Sequence, residues 1–339
     1  MVRMRKTNKL RRIRGIWDGG KGHNYGLPDC VKFILERLGT PDQPGYWDIA
    51  AITGDSVAQV YNRNPATGCE YCVSGYLAGP EHITYVFEAL GYACEYVPAG
   101  QVSITRIVEY IDKGIPILVK TNMHDIPGWA SDVGTYPLVV GYKNRGRTLR
   151  LLVGDKTIID YEMHGNSKLD FVFIGEKLRD VTLEELYLKA IEKMPHWLAL
   201  PERGGMFFGA AAFRAWADDI EAGRYEDESL PLWENYGVYV CNLATSPAIP
   251  FFMFKKLGMT ALYDEIVKLF PSFKPDDITP DDSKDGLWSR LEHLGGGMDL
   301  KEVKRTMRDK ENRAEIAAAL RNYARRLDQA LALMKEVIT

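Results

Sequence analysis

The fold of the first half of this chain is decided by the stretch from Gly22 to Gly39, GHNYGLPDCVKFILERLG. Glycine and proline mark a loop at its start. Apolar residues then recur at the spacing of one helix face: Val31, Ile34, Leu35 and Leu38. This pattern predicts a short amphipathic helix that Gly39 ends. Pro28 suits the first turn of such a helix, because no N–H group is needed there.

Cys30 is the residue of this stretch whose side chain is most able to act as a nucleophile. The pattern places it in the first helical turn, where the positive end of the helix dipole and unbonded N–H groups favour a thiolate. Asp29 acts in the opposite direction, because a neighbouring anion raises the pKa of a thiol. Two interpretations stay open: a reactive thiol, or a small apolar side chain buried at a helix start.

Composition indicates an ordinary globular chain. With 339 residues, of which 46% are hydrophobic and 26% charged, the chain is long enough for two domains. The formal net charge of −3 gives no reason to expect a nucleic-acid partner. A membrane partner is not expected either, because no apolar run has the length of a membrane span. The odd number of cysteines, five, favours a reducing compartment, so a cytoplasmic location is predicted.

Two groups of residues receive no functional role. Residues 1–14 form a basic arm that no apolar segment follows, so we expect a solvated, partly disordered arm rather than an export signal. Contact of this arm with phosphate or RNA is the minor alternative. Cys69 and Cys72 form a single C-x-x-C pair, which cannot complete a tetrahedral zinc site. No metal and no cofactor are predicted.

The order of the expected elements indicates an α+β plan. Helical patterns come first, including a short helix over residues 52–61 that Asp55 or Ser56 would cap. Five β-rich runs follow, with short turns between the later ones, at 115–121, 136–142, 149–153, 158–161 and 171–174. Short turns favour antiparallel neighbours, so we expect helices packed on an antiparallel sheet.

The last part of the chain has a purely helical pattern. It begins with a capping box at Thr182 and ends with a long helix that starts near Asp299. We therefore divide the chain into a basic arm (1–14), an α+β domain (15–178) and an all-helical domain (179–339).

A cysteine at a helix start, followed in sequence by an antiparallel sheet, is the layout of papain-like thiol enzymes. The front half resembles the papain-like fold of the double-glycine-type, bacteriocin-processing cysteine peptidases. It is more similar to the family formed by the N-terminal domain of butirosin biosynthesis protein H and its bacterial relatives. The matching pieces are Asn24 to Gly39, Gly54-Asp55-Ser56, Ile115 to Thr121, Asp125-Ile126-Pro127 and Leu138-Val139-Val140-Gly141-Tyr142, and Gly209 to Glu221 resembles the helical extension of those relatives.

The resemblance implies roles for individual residues. Cys30 matches the nucleophile. Asn24 stands where the family has an oxyanion-hole glutamine, and Asp155 stands where it has the acid that orients the base. The family's general-base histidine begins the Val-Val-Gly-Tyr strand, where this chain has Thr135 and Tyr136. Neither can accept a thiol proton near neutral pH, because their pKa values are far from it.

A substitute base would have to come from another part of the chain. His124 precedes the same strand and is the candidate that we retain, with His164 and His23 as alternatives. Three aromatic residues near the expected cleft are candidate binding residues, with core packing as their other role: Trp17, Tyr25 and Tyr136.

Three functions are compatible with these residues. The first is a thiol hydrolase or acyltransferase that acts on an amide or thioester of a small molecule or peptide. By the resemblance, its acyl donor would be carrier-bound. The second is a catalytically inactive papain-like protein whose cleft binds a ligand or a partner. The third is a helical module that forms a homodimer through the apolar face of its last helix: Ile316, Leu320, Leu327, Leu331 and Met334.

Overall fold

The computed structural model describes residues 5–16, 25–39, 43–64, 72–77, 79–121, 125–126, 136–154, 156–164, 167–243, 251–270 and 286–338. In this part of the chain the fold is α+β, as predicted, with a seven-stranded antiparallel sheet, a separate two-stranded sheet and thirteen α-helices. The chain divides into two units. The first comprises residues 1–53 and 77–186, and the second comprises residues 54–76 and 187–339.

The strands are β1 (Asn8–Lys9), β2 (Val60–Asn62), β3 (Tyr92–Val97), β4 (Ile117–Lys120), β5 (Leu138–Lys143), β6 (Thr148–Val153), β7 (Thr157–Glu162), β8 (Asp170–Lys177) and β9 (Met206–Phe208). The helices are α1 (Gly26–Leu38), α2 (Tyr46–Ile52), α3 (Val73–Tyr76), α4 (Pro80–Ala89), α5 (Ile104–Asp112), α6 (Leu183–Leu198), α7 (Gly209–Glu221), α8 (Val238–Leu243), α9 (Phe252–Lys256), α10 (Thr260–Leu269), α11 (Leu287–His293), α12 (Leu300–Thr306) and α13 (Lys310–Ile338).

The large sheet of the first unit contains all five predicted β-runs. Its order is β3-β8-β4-β5-β6-β7, with every neighbouring pair antiparallel, and β1 pairs with β5. The short turn between β5 and β6 contains Asn144 and Arg145, both with positive φ. Two consecutive left-handed residues give a turn whose twist matches that of the flanking strands. The local turn chemistry is therefore consistent with the antiparallel pairing.

The helix predicted over residues 52–61 is wrong. The helical segment, α2, ends at Ile52, and Gly54 has φ of +81°. A turn follows, and Val60–Asn62 then form β2, which pairs with β9. This pairing joins segments that are far apart in sequence, so helical spacing within the segment could not reveal it. It also places a strand, β9, within residues 179–339, where the sequence indicated helices alone.

The predicted partial disorder of the N-terminal arm is also wrong for residues 5–14, the part of the arm that the structure describes. Asn8 and Lys9 pair with Tyr142 and Gly141 of β5, and the Leu10 N–H group donates to the Val140 oxygen at 2.8 Å. Paired backbone groups and a Leu10 side chain that is 6% exposed make this arm part of the first unit's fold.

In the second unit, the last helical stretch consists of two helices, α12 and α13, rather than one. The apolar face of α13 is covered within the unit. Its members Ile316, Leu320, Leu327 and Met334 are at most 2% exposed, and Leu331 is half-buried. The ring of Tyr323 on α13 packs against Phe213 of α7, with 5.0 Å between the ring centroids. The face that suggested a homodimer is therefore occupied by the chain's own residues.

None of the described helices combines the length and the apolar character that crossing a bilayer requires.

Candidate functional site

Helix α1 begins earlier than its apolar spacing indicated. Tyr25 is the N-cap in an extended conformation, Gly26 is the first helical residue, and Gly39 ends the helix with φ of +68°, as predicted. Cys30 is consequently the fifth helical residue and lies in the second turn. An α-helical N–H group at this position bonds to the carbonyl four residues earlier. The unbonded N–H groups that would favour a thiolate therefore belong to residues before Cys30.

The sulfur of Cys30 is enclosed. The side chain has no exposed surface, and its thiol donates a hydrogen bond to the backbone oxygen of Tyr136, with 3.0 Å between Sγ and O. Tyr136 comes just before β5, so this bond connects α1 to the start of a central strand. The thiol thus acts as a donor to a carbonyl group, which cannot take its proton.

The electrostatic surroundings favour the neutral thiol over the predicted thiolate. Burial raises the pKa of Cys30 well above its ordinary value, and the charge of Asp29 raises it further. The positive charge of Arg14 acts in the opposite direction but is the smallest of these effects. Of the two interpretations of Cys30, these surroundings favour the small side chain buried at a helix start over the reactive thiol.

Asp29 and Arg14 form an ion pair beside this cysteine. Asp29 is fully buried, and its Oδ1 atom lies 3.1 Å from Nη1 of Arg14. Arg14 also pairs with Glu36 at 2.9 Å, and its guanidinium group lies over the Phe33 ring. A buried carboxylate needs such a partner to remain charged. The pair therefore fixes the N-terminal arm against α1 and keeps a negative charge next to the thiol.

Two of the three predicted binding aromatics lie within the described residues. The rings of Tyr25 and Tyr136 are each 2% exposed, so both are core side chains of the first unit. The backbone N–H group of Tyr25 donates to the hydroxyl of Tyr46 at 2.7 Å, which holds the residue before α1 in place. Trp17, the third of these aromatics, lies outside the described residues.

The predicted partners of Cys30 are not placed by the structure. Asn24, His124 and Asp155 lie outside the described residues, so their catalytic roles stay predictions; Thr135 and His23 lie outside as well. His164, the described alternative base, is an exposed residue between β7 and β8. Of the proposed catalytic set, the structure thus gives the surroundings of Cys30 alone.

In the second unit, two buried tyrosines and three partly buried charged side chains form a hydrogen-bonded network that the sequence does not indicate. The hydroxyl of Tyr61 donates to Oδ2 of Asp219 at 2.6 Å and lies 3.0 Å from the hydroxyl of Tyr225. Asp219 also accepts from Arg63 at 2.9 Å and lies 3.4 Å from Arg224. Burial raises the pKa of both tyrosines, so their hydroxyls stay protonated as donors. No sequence signal links β2 to α7, because the residues are about 160 positions apart.

Each unit contains a cavity. That of the first unit has a volume of about 230 Å³ and a mixed apolar and polar wall to which α1, the residue after α4, and α6 with the segment before it contribute: Leu35, Leu90, Lys177, Asp180, Val181 and Leu186 are among its lining residues. That of the second unit, about 490 Å³, lies between α11 and α13 and is lined by Arg290, Arg326, Glu315, Asn322, Tyr323 and two alanines. Neither arginine has an acidic partner among the described residues.

Metal ligation finds no support in the described part of the chain, which contains no group of three or more His, Cys, Asp or Glu side chains that could hold an ion. Cys72 is described, whereas Cys69 of the C-x-x-C pair is not.

No protein-family model matches the chain, and no curated protein matches it either.

Proposed function

We propose that this protein is a papain-like relative that acts by binding, and that Cys30 does not serve it as a nucleophile. The observation that carries the proposal is the hydrogen bond from Cys30 Sγ to the Tyr136 oxygen, made by a sulfur with no exposed surface. A nucleophilic thiol needs a base that can accept its proton and a path for the substrate. A backbone carbonyl supplies no basic site at neutral pH, and burial closes the path.

The partner of this hydrogen bond supports the papain-like part of the proposal. In the family that the chain resembles, the base stands at the start of the Val-Val-Gly-Tyr strand, the position of Thr135 and Tyr136 here. Tyr136 is the residue whose backbone lies against the Cys30 sulfur. A position that carries an imidazole in the family would then be filled here by a buried tyrosine, with the fold retained and the proton acceptor lost.

The cavity of the second unit, which is lined by described residues, is a candidate place for a ligand. Its volume of about 490 Å³ lies within the usual range of small-molecule sites. Arg290 and Arg326 would bind a carboxylate or phosphate group through their paired N–H donors. Ala318 and Ala319 leave the space beside them open. We therefore propose a small organic anion as the ligand class.

Alkylation of Cys30 tests the loss of thiol chemistry. Native protein is treated with iodoacetamide between pH 6 and 9, and the labelled cysteine is identified by peptide mass spectrometry. We expect Cys30 to label more slowly than half-buried Cys94 at every pH, and both to label once urea unfolds the chain. Rapid labelling of Cys30 with an apparent pKa near or below about 8.5 would contradict the proposal.

Turnover separates the proposal from its alternative, an active thiol hydrolase or acyltransferase that uses Asn24, His124 and Asp155. Simple acyl thioesters are offered to the wild-type protein and to a Cys30→Ala variant. We expect equal, background rates of thiol release from both. A rate that Cys30→Ala abolishes, with an acyl group found on Cys30, would establish the alternative.

Thermal stabilisation by small anions tests the ligand class. Citrate and inorganic phosphate are added to the wild type, to Arg290→Gln/Arg326→Gln and to a control, Lys301→Gln/Lys310→Gln, which removes the same charge from exposed positions outside the cavity lining. We expect the melting temperature to rise with anion concentration in the wild type and the control only. An equal rise in all three proteins would exclude the cavity as the site.

A further inference from the structure

A row of six cations follows the N-terminal arm across the surface of the first unit. We call this set the basic strip: Arg5, Lys6, Lys9, Arg11, Arg12 and Arg145. All six side chains are exposed, and in the described part of the chain none of them makes an ion pair. By contrast, Arg14 and Lys143 next to the strip do pair with acids. The strip is therefore an unneutralised row of positive charge.

The strip is held in place at both ends. At one end the Arg145 N–H group donates to the Lys6 oxygen at 2.9 Å, which brings the β5–β6 turn beside the arm. At the other end the Arg37 guanidinium of α1 donates to the backbone oxygens of Arg11 and Arg12 at 2.5 and 2.6 Å. These bonds use backbone oxygens and leave the side chains of the strip unengaged. A fixed row loses less conformational entropy on binding than a disordered arm does.

Gly141 of β5 is the residue that lets the arm approach so closely. A Cβ atom at this position would lie 2.8 Å from the Asn8 oxygen and 3.1 Å from Cα of Lys9, closer than side-chain carbons tolerate. The absence of a side chain at 141 is therefore a requirement for the arm's position. The sequence of β5 is adapted to hold the basic strip against the sheet.

The strip contrasts with the charge of the rest of the chain. The formal net charge is −3, so the residues outside these six cations carry a net charge of −9. The neighbouring acid Asp112 is engaged by the Asn8 amide at 2.6 Å and by the Tyr142 hydroxyl at 2.9 Å. Such a separation of charge creates a local positive field that attracts polyanions although the whole chain is acidic.

We propose that the basic strip binds the phosphodiester backbone of a nucleic acid without reading its sequence. Five of the six cations lie within eight consecutive residues, 5–12, of which Asn8 and Lys9 form a strand, so the row that they make is at most roughly 25 Å long at the rise of a strand. A phosphodiester chain presents an unbroken row of negative charge along such a length, whereas acidic protein surfaces mix carboxylates with other groups. Four of the six are arginines, whose planar fork pairs with phosphate oxygens two at a time.

The neighbouring apolar residues argue against base recognition and against a lipid surface. Tyr142, which pairs with Asn8, is fully buried and has no ring face on which a base could stack. Leu10, the apolar residue between Lys9 and Arg11, is 6% exposed, so within the described residues 5–12 the arm presents no apolar side chain for insertion between lipids. Binding would then consist of phosphate contacts alone, and its strength would fall steeply with salt.

Fluorescence anisotropy tests the proposal. The full chain is titrated, between 50 and 200 mM NaCl, into labelled 20-nucleotide single strands of DNA and RNA and into a 20-base-pair duplex. We expect log Kd to rise linearly with log salt, by about 0.7 per phosphate contact for single strands and about 0.9 for the duplex. The nucleic acid that binds most tightly identifies the source of the backbone, and sequence changes should have no effect.

Two triple variants remove the same charge from different places. Arg5→Gln/Lys9→Gln/Arg11→Gln takes three cations from the strip. Lys156→Gln/Lys301→Gln/Lys310→Gln takes three exposed cations, also without ion pairs among the described residues, from elsewhere. At 50 mM NaCl we expect the first to weaken binding at least about tenfold and to lower the salt slope by about 2 for single strands, and the second to change neither appreciably.

Several outcomes would overturn the proposal. The first is that the wild type does not bind any oligonucleotide at 50 mM NaCl. The second is that both triple variants lose the same affinity for the oligonucleotides. The third is that the wild type binds poly-glutamate or phosphatidylserine vesicles more tightly than the oligonucleotides. Circular dichroism and the melting temperature of each variant show whether it is folded. If the strip variant does not fold, lysine acetylation of the wild-type protein gives a second measurement. The protein is acetylated with and without free oligonucleotide, and we expect the oligonucleotide to protect Lys6 and Lys9 but not Lys301.

Discussion

The Sγ atom of Cys30 lies 3.0 Å from the backbone oxygen of Tyr136, a residue 106 positions later in the chain. This bond joins the first long helix to the start of a central strand. Because the thiol is buried and donates to a carbonyl, it stabilises the fold as a neutral group.

The raised pKa of Cys30 predicts a loss of stability at alkaline pH. Below the ordinary thiol pKa, about 8.5, the thiol is protonated in both the folded and the unfolded chain. Above it only the unfolded chain releases the proton, so the free energy of unfolding falls as pH rises. Relative to Cys30→Ser, the wild type should lose about 1.4 kcal/mol per pH unit above about pH 9. Urea denaturation at several pH values measures this, and a difference that stays constant to pH 10 would show an ordinary thiol.

Gly141→Ala should displace the N-terminal arm. The added Cβ would meet the Asn8 oxygen at 2.8 Å, so the pairing of β1 with β5 must shift. We expect faster tryptic cleavage within residues 5–12, followed by mass spectrometry, and a loss of about 1–3 kcal/mol in unfolding free energy. Gly114→Ala is the control. It has positive φ but nothing within 4 Å of its Cβ position, so it should cost stability without exposing the arm.

Tyr61→Phe should destabilise the second unit by about 1–3 kcal/mol, because Asp219 loses the hydroxyl that donates to it at 2.6 Å in a nearly buried site. Tyr96→Phe is the matched control. Its hydroxyl makes a similar bond to Asp170 in a half-exposed place, where water can replace the lost donor. Urea denaturation measures both, and equal effects would mean that burial of the Asp219 network contributes nothing.

Leu320→Ala should cost about 2–5 kcal/mol, because the fully buried side chain leaves a cavity inside the second unit. The half-buried Leu331 on the same helix provides the comparison, and its replacement by alanine should cost less. Light scattering on Leu320→Ala and the wild type should give the same molar mass. A fall in mass with little loss of stability would instead identify this face of α13 as an interface between copies of the chain.

Local sequence patterns were sufficient wherever the structure depends on neighbouring residues. Gly39 ends α1 in the left-handed conformation, Thr182 and Glu185 form the expected capping box, and the β-runs between 115 and 174 became the strands of the sheet. In each case the determining contacts span a few residues, or repeat with the period of a strand. Spacing along the chain therefore contains the information.

Contacts between segments that are distant in sequence could be identified only from the tertiary structure. Residues 60–62 pair with 206–208, and the arm pairs with β5, although neither segment shows a strand pattern by itself. For the same reason the sequence located Cys30 on a helix but could not show its environment. Whether that sulfur is a thiolate depends on burial and on Tyr136, Asp29 and Arg14 around it, which only folding brings together. Sequence alone determined which residues could carry chemistry here, and the packing of distant segments decided that the Cys30 sulfur is enclosed and bonded to a backbone carbonyl.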